Sequence, residues 1–232
     1  MDLEQLKATD RLPMSGKVVD SVYEMVDTVS VTAVVGTRDR LIDVARAYLD
    51  QEGIDGIGLR EIARRAGVSH GAPLRHFPTL GALLGAVAAE GFRDLIVAVD
   101  HAVHTAPIDD PVRRLAAAAF GYQRFALSHP GVFGLMFRRD LCDTNDAEYI
   151  TTGGMAFGQL VALVTDAQNV GFHPDHSASE LAGVLWATSH GLASLHLHGA
   201  LAPTTGQVDP AVLQRLANAV VFGIPIDSEE SP

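Results

Sequence analysis

The sequence predicts an all-α chain: a three-helix unit with a helix-turn-helix near its N-terminus, followed by a larger helical body. Three observations carry that expectation. Alanine and leucine are abundant, while aromatic residues make up 6% of the 232 residues, which favours helix over sheet. Apolar residues recur at helical spacing along most of the chain, and no segment shows convincing strand alternation. The stretch EIARRAGVSHGAPLRHF, residues 61–77, breaks a helical pattern at Gly-Val-Ser and then resumes it, as two short helices joined by a tight turn do.

Residues 1–36 read as an N-terminal extension. Val18, Val22, Val26 and Val29 recur at helical spacing and predict a short amphipathic helix over 15–30. Thr37 is the expected N-cap of the first firm helix, whose Leu41, Ile42, Ala45, Tyr48 and Leu49 share one face; Gly53 ends it. The Gly56-x-Gly58 pair that follows has neither the preceding strand nor the third glycine of a phosphate-binding loop. A second helix over 59–66 turns Leu59, Ile62, Ala63 and Ala66 inward. Gly67 suits the left-handed position that ends a helix, Val68 plugs the turn, and Ser69 is expected to cap the third helix through its hydroxyl. Pro73 falls near that helix's start, where a missing amide donor is tolerated. Leu74 and Phe77 are expected to point to the core, and Thr79 to cap a fourth helix reaching about residue 104.

The body continues in helices. Asp110 caps the next one, with Pro111 in its first position. A short apolar helix over 131–139, a polar loop over 140–146 and a helix over 147–170 follow, the last with Gly153-Gly154 as a weak spot. Ser177 or Ser179 caps a helix over 180–198, and 210–222 form the final helix before a tail, 225–232, expected to be disordered. The expected domains are thus 37–84, a helix-turn-helix unit, and 85–224, a ligand-binding and dimerisation unit.

Charge and composition exclude several classes. The single cysteine, Cys142, allows no internal disulfide and suits a reducing compartment. No run of 18 apolar residues is present, and the acidic residues Asp2, Glu4, Asp10, Asp20, Glu24 and Asp27 are wrong for a signal peptide. A cytoplasmic protein with no membrane partner is expected. There is no Gly-x-Ser-x-Gly, no obvious carboxylate pair and no nucleotide loop, so no enzyme activity and no cofactor are expected. His173 and His176 straddle Pro174, and His196 and His198 stand two apart, so neither pair suits a metal. Arg138 and Arg139 before Cys142 would favour its thiolate; an inert thiol is the blander alternative.

The net charge of −11 by itself opposes a nucleic-acid partner, but the distribution of charge decides. Between residues 60 and 76, Arg60, Arg64, Arg65 and Arg75 face Glu61 alone, a local excess of three. A helix about 10–12 Å across fits a major groove about 12 Å wide, and the small residues after Ser69 allow close approach. The blander reading is a helical hairpin with a solvated basic face.

LREIARRAGVSHGAPLRHF, with the helix before it, resembles the DNA-binding domain of TetR-type transcriptional repressors over about residues 37–87. The resemblance implies an all-helical homodimer whose three N-terminal helices read double-stranded operator DNA while the rest binds a small molecule and dimerises. By position it implies DNA contacts from Arg60 at the start of the second helix, from Ser69, His70, Gly71 and Ala72 at the opening of the recognition helix, and from Arg75 and His76 further along; Thr79 follows and joins the set. Three departures stand out: Leu74 where the family commonly has tyrosine, Leu80 where it has lysine, and Gly58 where it has a Ser/Thr cap. Fewer phosphate anchors weaken binding at every sequence. SHGAPLRHF, AAEGF, FALSHPGVFGLMF and WATSHG further resemble a subgroup named for a Trp-His-Gly signature, here Trp186, His190 and Gly191.

Trp186 and His190 are four apart and share a helix face, expected to line the interior. The opposite face, with Val212, Leu216, Ala219 and Val220 of the last helix, is the expected dimer interface. Phe120, Gln123, Phe133, Phe137, Phe157, Trp186 and His190 are the expected lining of a ligand pocket, apolar with few polar groups; Phe125, Met136, Met155 and Leu160 fill the same interior. Plain core packing is the alternative for each. The functional expectation is a ligand-responsive repressor on a palindromic operator, with half-sites about 34–36 Å apart. A DNA-binding dimer without a ligand and a helical ligand-binding or scaffold dimer with weakened DNA binding are the alternatives.

Overall fold

The computed structural model describes residues 36–105, 109–201 and 209–223. The expected helix at 15–30 and the tail at 225–232 lie outside them. Among the described residues the fold is all-helical with no strand.

Three helices form the N-terminal unit: α1 (Thr37–Glu52), α2 (Leu59–Arg65) and α3 (Ala72–His76). α1 buries the expected face, Leu41, Ile42, Ala45, Tyr48 and Leu49. Gly67 follows α2 with φ +65°, a conformation that costs glycine nothing. The turn then runs longer than three residues. Ser69 gives its backbone carbonyl to the Ala72 amide at 2.9 Å, while the N-cap of α3 is Gly71, with no side-chain cap bond. The Ser69 hydroxyl therefore does not cap α3, because the helix begins too far past it. The late start also changes which residue faces inward. Pro73 is buried in the first turn of α3 and Leu74, about 100° further round, is 59% exposed instead of packing in the core. Phe77 is buried as expected.

The body begins with α4 (Leu80–Thr105), which packs against α1 and against α5 (Pro111–Ser128), α6 (Pro130–Met136) and α7 (Ala147–Gln168). α8 (Ala178–Leu197) and α9 (Pro210–Phe222) complete it. Side-chain caps set most of these starts. Thr79 Oγ1 accepts from the Ala82 amide, Asp110 from Val112, Asp146 from Tyr149, Ser177 from Glu180 and Asp209 from Ala211. Each such cap contributes about 1 kcal/mol. Gly153 and Gly154 leave α7 unbroken.

The N-terminal unit is fastened to the body at α6. The Gly131 and Val132 amides donate to Asp50 Oδ1 of α1 at 2.9 and 3.1 Å. Those amides are among the first of α6 and have no partner within their own helix. A Cβ on Gly131 would stand 2.1 Å from the Leu49 carbonyl oxygen, so no side chain fits where these backbones touch. Ion pairs add to the seam: Arg46 of α1 reaches Glu90 at 3.5 Å and also Asp94 on α4. Glu148 of α7 bridges Arg38 of α1, at 3.1 Å, and Arg93 of α4.

Gly131→Ala is expected to destabilise the protein by about 1–3 kcal/mol through overpacking against rigid backbone, read as a lowered urea midpoint. Asp50→Ala, which leaves the α6 amides unpartnered, is expected to lower stability by about 1 kcal/mol in the same measurement.

Candidate functional site

Two places in the molecule have the chemistry expected of a site. The first is the tip formed by α2 and α3. Arg60, Ser69, His70, Gly71, Arg75, His76 and Thr79 are exposed there, and Ala72 is half-buried. Arg64 and Arg65 are already engaged. Glu61 accepts from Arg64 at 2.7 and 2.9 Å and from Arg65 at 2.6 Å. These bonds hold the Glu61 carboxyl down to about 2, well below the usual range. Arg65 also meets Glu52 at 2.5 Å and lies over the Tyr48 ring, 4.5 Å from its centroid. The fold brings Glu52 into the basic cluster, so four arginines face two glutamates and the excess falls from three to two. Arg60 and Arg75 are the cations left without a carboxylate partner among the described residues of this tip.

The second place is a cavity of about 600 Å³, partly open to solvent and lined mainly by α4, α5, α7 and α8. Buried Val99 and Leu115 and half-buried Leu163 line it together with Phe137, Phe157 and Trp186. The volume falls within the ordinary range for small-molecule sites. A hydrogen-bonded trio stands at the wall. Trp186 Nε1 donates to the Tyr122 hydroxyl at 3.2 Å, and that hydroxyl lies 2.8 Å from His190 Nδ1. An indole N–H can only donate, so the Tyr122 oxygen accepts from it and has its own proton for His190. Burial pushes the Tyr122 phenol well up and the His190 imidazole down, so a neutral phenol facing a neutral imidazole is the favoured state. With Nδ1 accepting from Tyr122, the His190 proton sits on Nε2.

Of the expected pocket residues, Phe137, Phe157 and Trp186 line this cavity. Phe133 and His190 sit behind its wall, where they line a second groove of about 570 Å³ beside Leu49 and Asp50 of α1. Phe120 does not belong to the pocket: it is 43% exposed. Leu115, Ala118, Ala119 and Tyr122 give α5 its cavity face, and Phe120 is about 200° round the helix from Tyr122. Met155 is likewise exposed rather than interior. Gln123 is buried but absent from the lining, and its amide nitrogen and oxygen have no partner among the described residues. Its neighbour Tyr122 reaches the cavity, as do the polar side chains of Gln159, Ser189 and Thr144. A buried tyrosine needs a partner for its hydroxyl, but nothing local in sequence shows that the partners lie 64 and 68 residues away. Cys142 is buried, and burial pushes its thiol up to about 11, so the neighbouring arginines do not make it a thiolate.

α8 and α9 also expose apolar side chains: Val184, Leu195, Leu216 and Val220, the last 85% exposed. Among the described residues no group of three or more metal-ligating side chains converges, and no helix is long and apolar enough to cross a membrane.

Comparison with known proteins gives two family matches. Residues 41–87 match bacterial regulatory proteins of the tetR family, and residues 115–220 match the tetracyclin repressor-like C-terminal domain. An HTH-type transcriptional regulator of Mycobacterium tuberculosis is 25% identical over 189 residues, covering 82% of this chain and 79% of its own. A structure of a protein of unknown function from Rhodococcus sp. RHA1 superposes with a TM-score of 0.71 at 33% identity, over 81% of this chain and 94% of its own. A TetR family transcriptional regulator from Thermus thermophilus shares the fold, with a TM-score of 0.61 at 15% identity over 80% of this chain and 98% of its own.

Tyr122→Phe strands the Trp186 N–H and is expected to cost about 1–3 kcal/mol, measured by urea unfolding followed through Trp186 emission. His190 gives a pH signature. Its folded pKa lies below the unfolded value, so the unfolded chain takes up the proton first as pH falls. The wild-type thermal midpoint is expected to drop as pH falls through about 6.5, and His190→Gln to flatten that drop.

Proposed function

Because the chain belongs to the TetR family of bacterial transcriptional regulators, we propose that it is a ligand-responsive repressor that binds a palindromic operator as a homodimer in the cytoplasm. One observation carries this reading: α6 touches both working parts. Its first turn is capped by Asp50 of α1, and the residue that ends it, Phe137, lines the cavity. Ligand in the cavity then shifts the separation of the two recognition helices in the dimer and weakens operator binding. The ligand must bind the two arrangements with different affinity for this to happen.

In this reading Ser69, His70, Gly71, Ala72, Arg75 and His76 meet the major groove, with Arg60 and Thr79 at its edges. Tyr122, Phe137, Phe157 and Trp186 hold the ligand, and Phe133 and His190 support that wall from behind. The exposed Val184 and Leu195 of α8 and Leu216 and Val220 of α9 pack against the same residues of a second copy. The Trp-His-Gly subgroup belongs to the proposal as well; the shared Tyr122 hydroxyl supports it. One observation favours the alternative, a helical ligand-binding dimer with weak DNA affinity: Leu74 presents an exposed apolar side chain on α3, where a phosphate donor would serve.

DNA from upstream of the protein's own gene, titrated across a salt series, tests the reading. Selective binding that weakens linearly with log salt is expected. The double variant Arg75→Ala, His76→Ala is expected to bind about tenfold or more weakly and to reduce the salt slope by about 1 for each phosphate it no longer neutralises. Weak, non-selective binding, unchanged by that variant, overturns the repressor reading and leaves the alternative.

A further inference from the structure

We propose that the cavity takes an apolar monocarboxylate, its hydrocarbon or aromatic body inside and its carboxylate on Arg139 at the mouth. The proposal rests on the ligand-cavity reading above and names the class of ligand. The lining opens to solvent at Arg139, at Ile150, which is 57% exposed, and at Gly154, with Thr144 half-buried, and Trp186, 38% exposed, is also reached by solvent. Among the described residues of the lining, Arg139 alone carries a full charge.

The nearby carboxylates are committed elsewhere. Asp140 is held by Arg138 through two contacts of 2.8 Å. Glu148 is held by Arg38 and Arg93. Asp146 caps α7 and Asp143 accepts from the Asn145 amide. Arg139 makes no ion pair with a described residue, whereas Arg138 beside it does. A guanidinium suits a carboxylate in both charge and geometry, and Thr144, also on the lining, offers a hydroxyl donor. Apolar walls strengthen that attraction by excluding water from one side.

The path inward is open. Ile150, Gly153 and Gly154 lie at helical spacing on α7 and all line the cavity. A side-chain carbon at Gly154 would meet nothing within 4 Å, and one at Gly153 would meet only the Phe92 ring, at 3.5 Å. A body held in the cavity meets Phe137, Phe157 and Trp186, with Trp186 5.8 and 6.1 Å from the two phenyl rings, centre to centre. An amine would place its charge beside Arg139, and an alcohol would leave the guanidinium without an anion.

The protein contains one tryptophan, Trp186, and it lies on the cavity wall, so its emission reports binding there. The full-length protein and its Arg139→Gln variant are titrated with decanoate, 1-decanol and decylamine at neutral pH, with thermal melting as a check on folding. Wild type is expected to bind decanoate about tenfold tighter than decanol and decylamine least. Arg139→Gln is expected to bring decanoate down to the decanol level. Equal binding of acid and alcohol, or an acid preference that survives Arg139→Gln, overturns the role of Arg139 while leaving the cavity reading intact. Failure of all three to change Trp186 emission overturns the cavity reading and this proposal with it.

Discussion

The contact between Gly131 and the Leu49 carbonyl is the constraint from which the rest of the arrangement follows. Two helix backbones meet there with no room for a side chain, and Asp50 takes two amides of α6 beside it. Backbone contact is stiff, because neither partner can change rotamer to relieve strain. The end of α1 and the start of α6 therefore behave as one piece. At the other end of α6, Phe137 packs at 5.7 Å against Phe92 of α4 and at 4.6 Å against His190 of α8. A short helix of one or two turns thus joins the DNA-reading unit to the aromatic wall.

Electrostatics shape the tip more than composition suggests. Glu61 and Glu52 bind Arg64 and Arg65, and Tyr48 covers Arg65. Arg65 braces α2 against α1 while Arg64 stays on α2, and Arg60 and Arg75 are left for an outside partner. A surface with few free cations on a chain of net charge −11 gains little from counterion release. On the proposed reading, selectivity comes from close base contacts, which the small residues at the start of α3 permit.

Helix identity was legible in the sequence; helix rotation was less so. Asp110, Ser177, Thr79 and Gly67 carry local signals, a side-chain acceptor or a left-handed backbone, and they act where they were expected. Ser69 carries the same signal, but the longer turn leaves its hydroxyl without a helix to cap. A shift of one residue rotates a helix by about 100°. That shift exchanges Pro73 for Leu74 in the core and separates Tyr122 from Gln123 on α5. On α5, where Ala116–Ala119 supply small apolar residues on every side, periodicity does not say which face turns to the cavity. Arg139 looked like an electrostatic neighbour of Cys142; only the fold puts it at the mouth of a cavity.

The cavity itself comes from what α5 and α7 lack. Ala118, Ala119, Gly153, Gly154 and Ala156 hold the walls back, while Phe92, Leu115, Phe137, Phe157 and Trp186 supply the bulk around it. A core selected for stability alone would fill that space, since apolar contacts not made are stability forgone. The aromatic wall borders the void on one side and, through α6, α1 on the other. A ligand that fills the void adds contacts to Phe137 and Trp186, and these are strongest in the arrangement of α6 that seats the ring best. If that arrangement differs from the one that suits the operator, ligand and DNA compete through a single stiff helix, and the void is the cost in stability of keeping the two readouts connected.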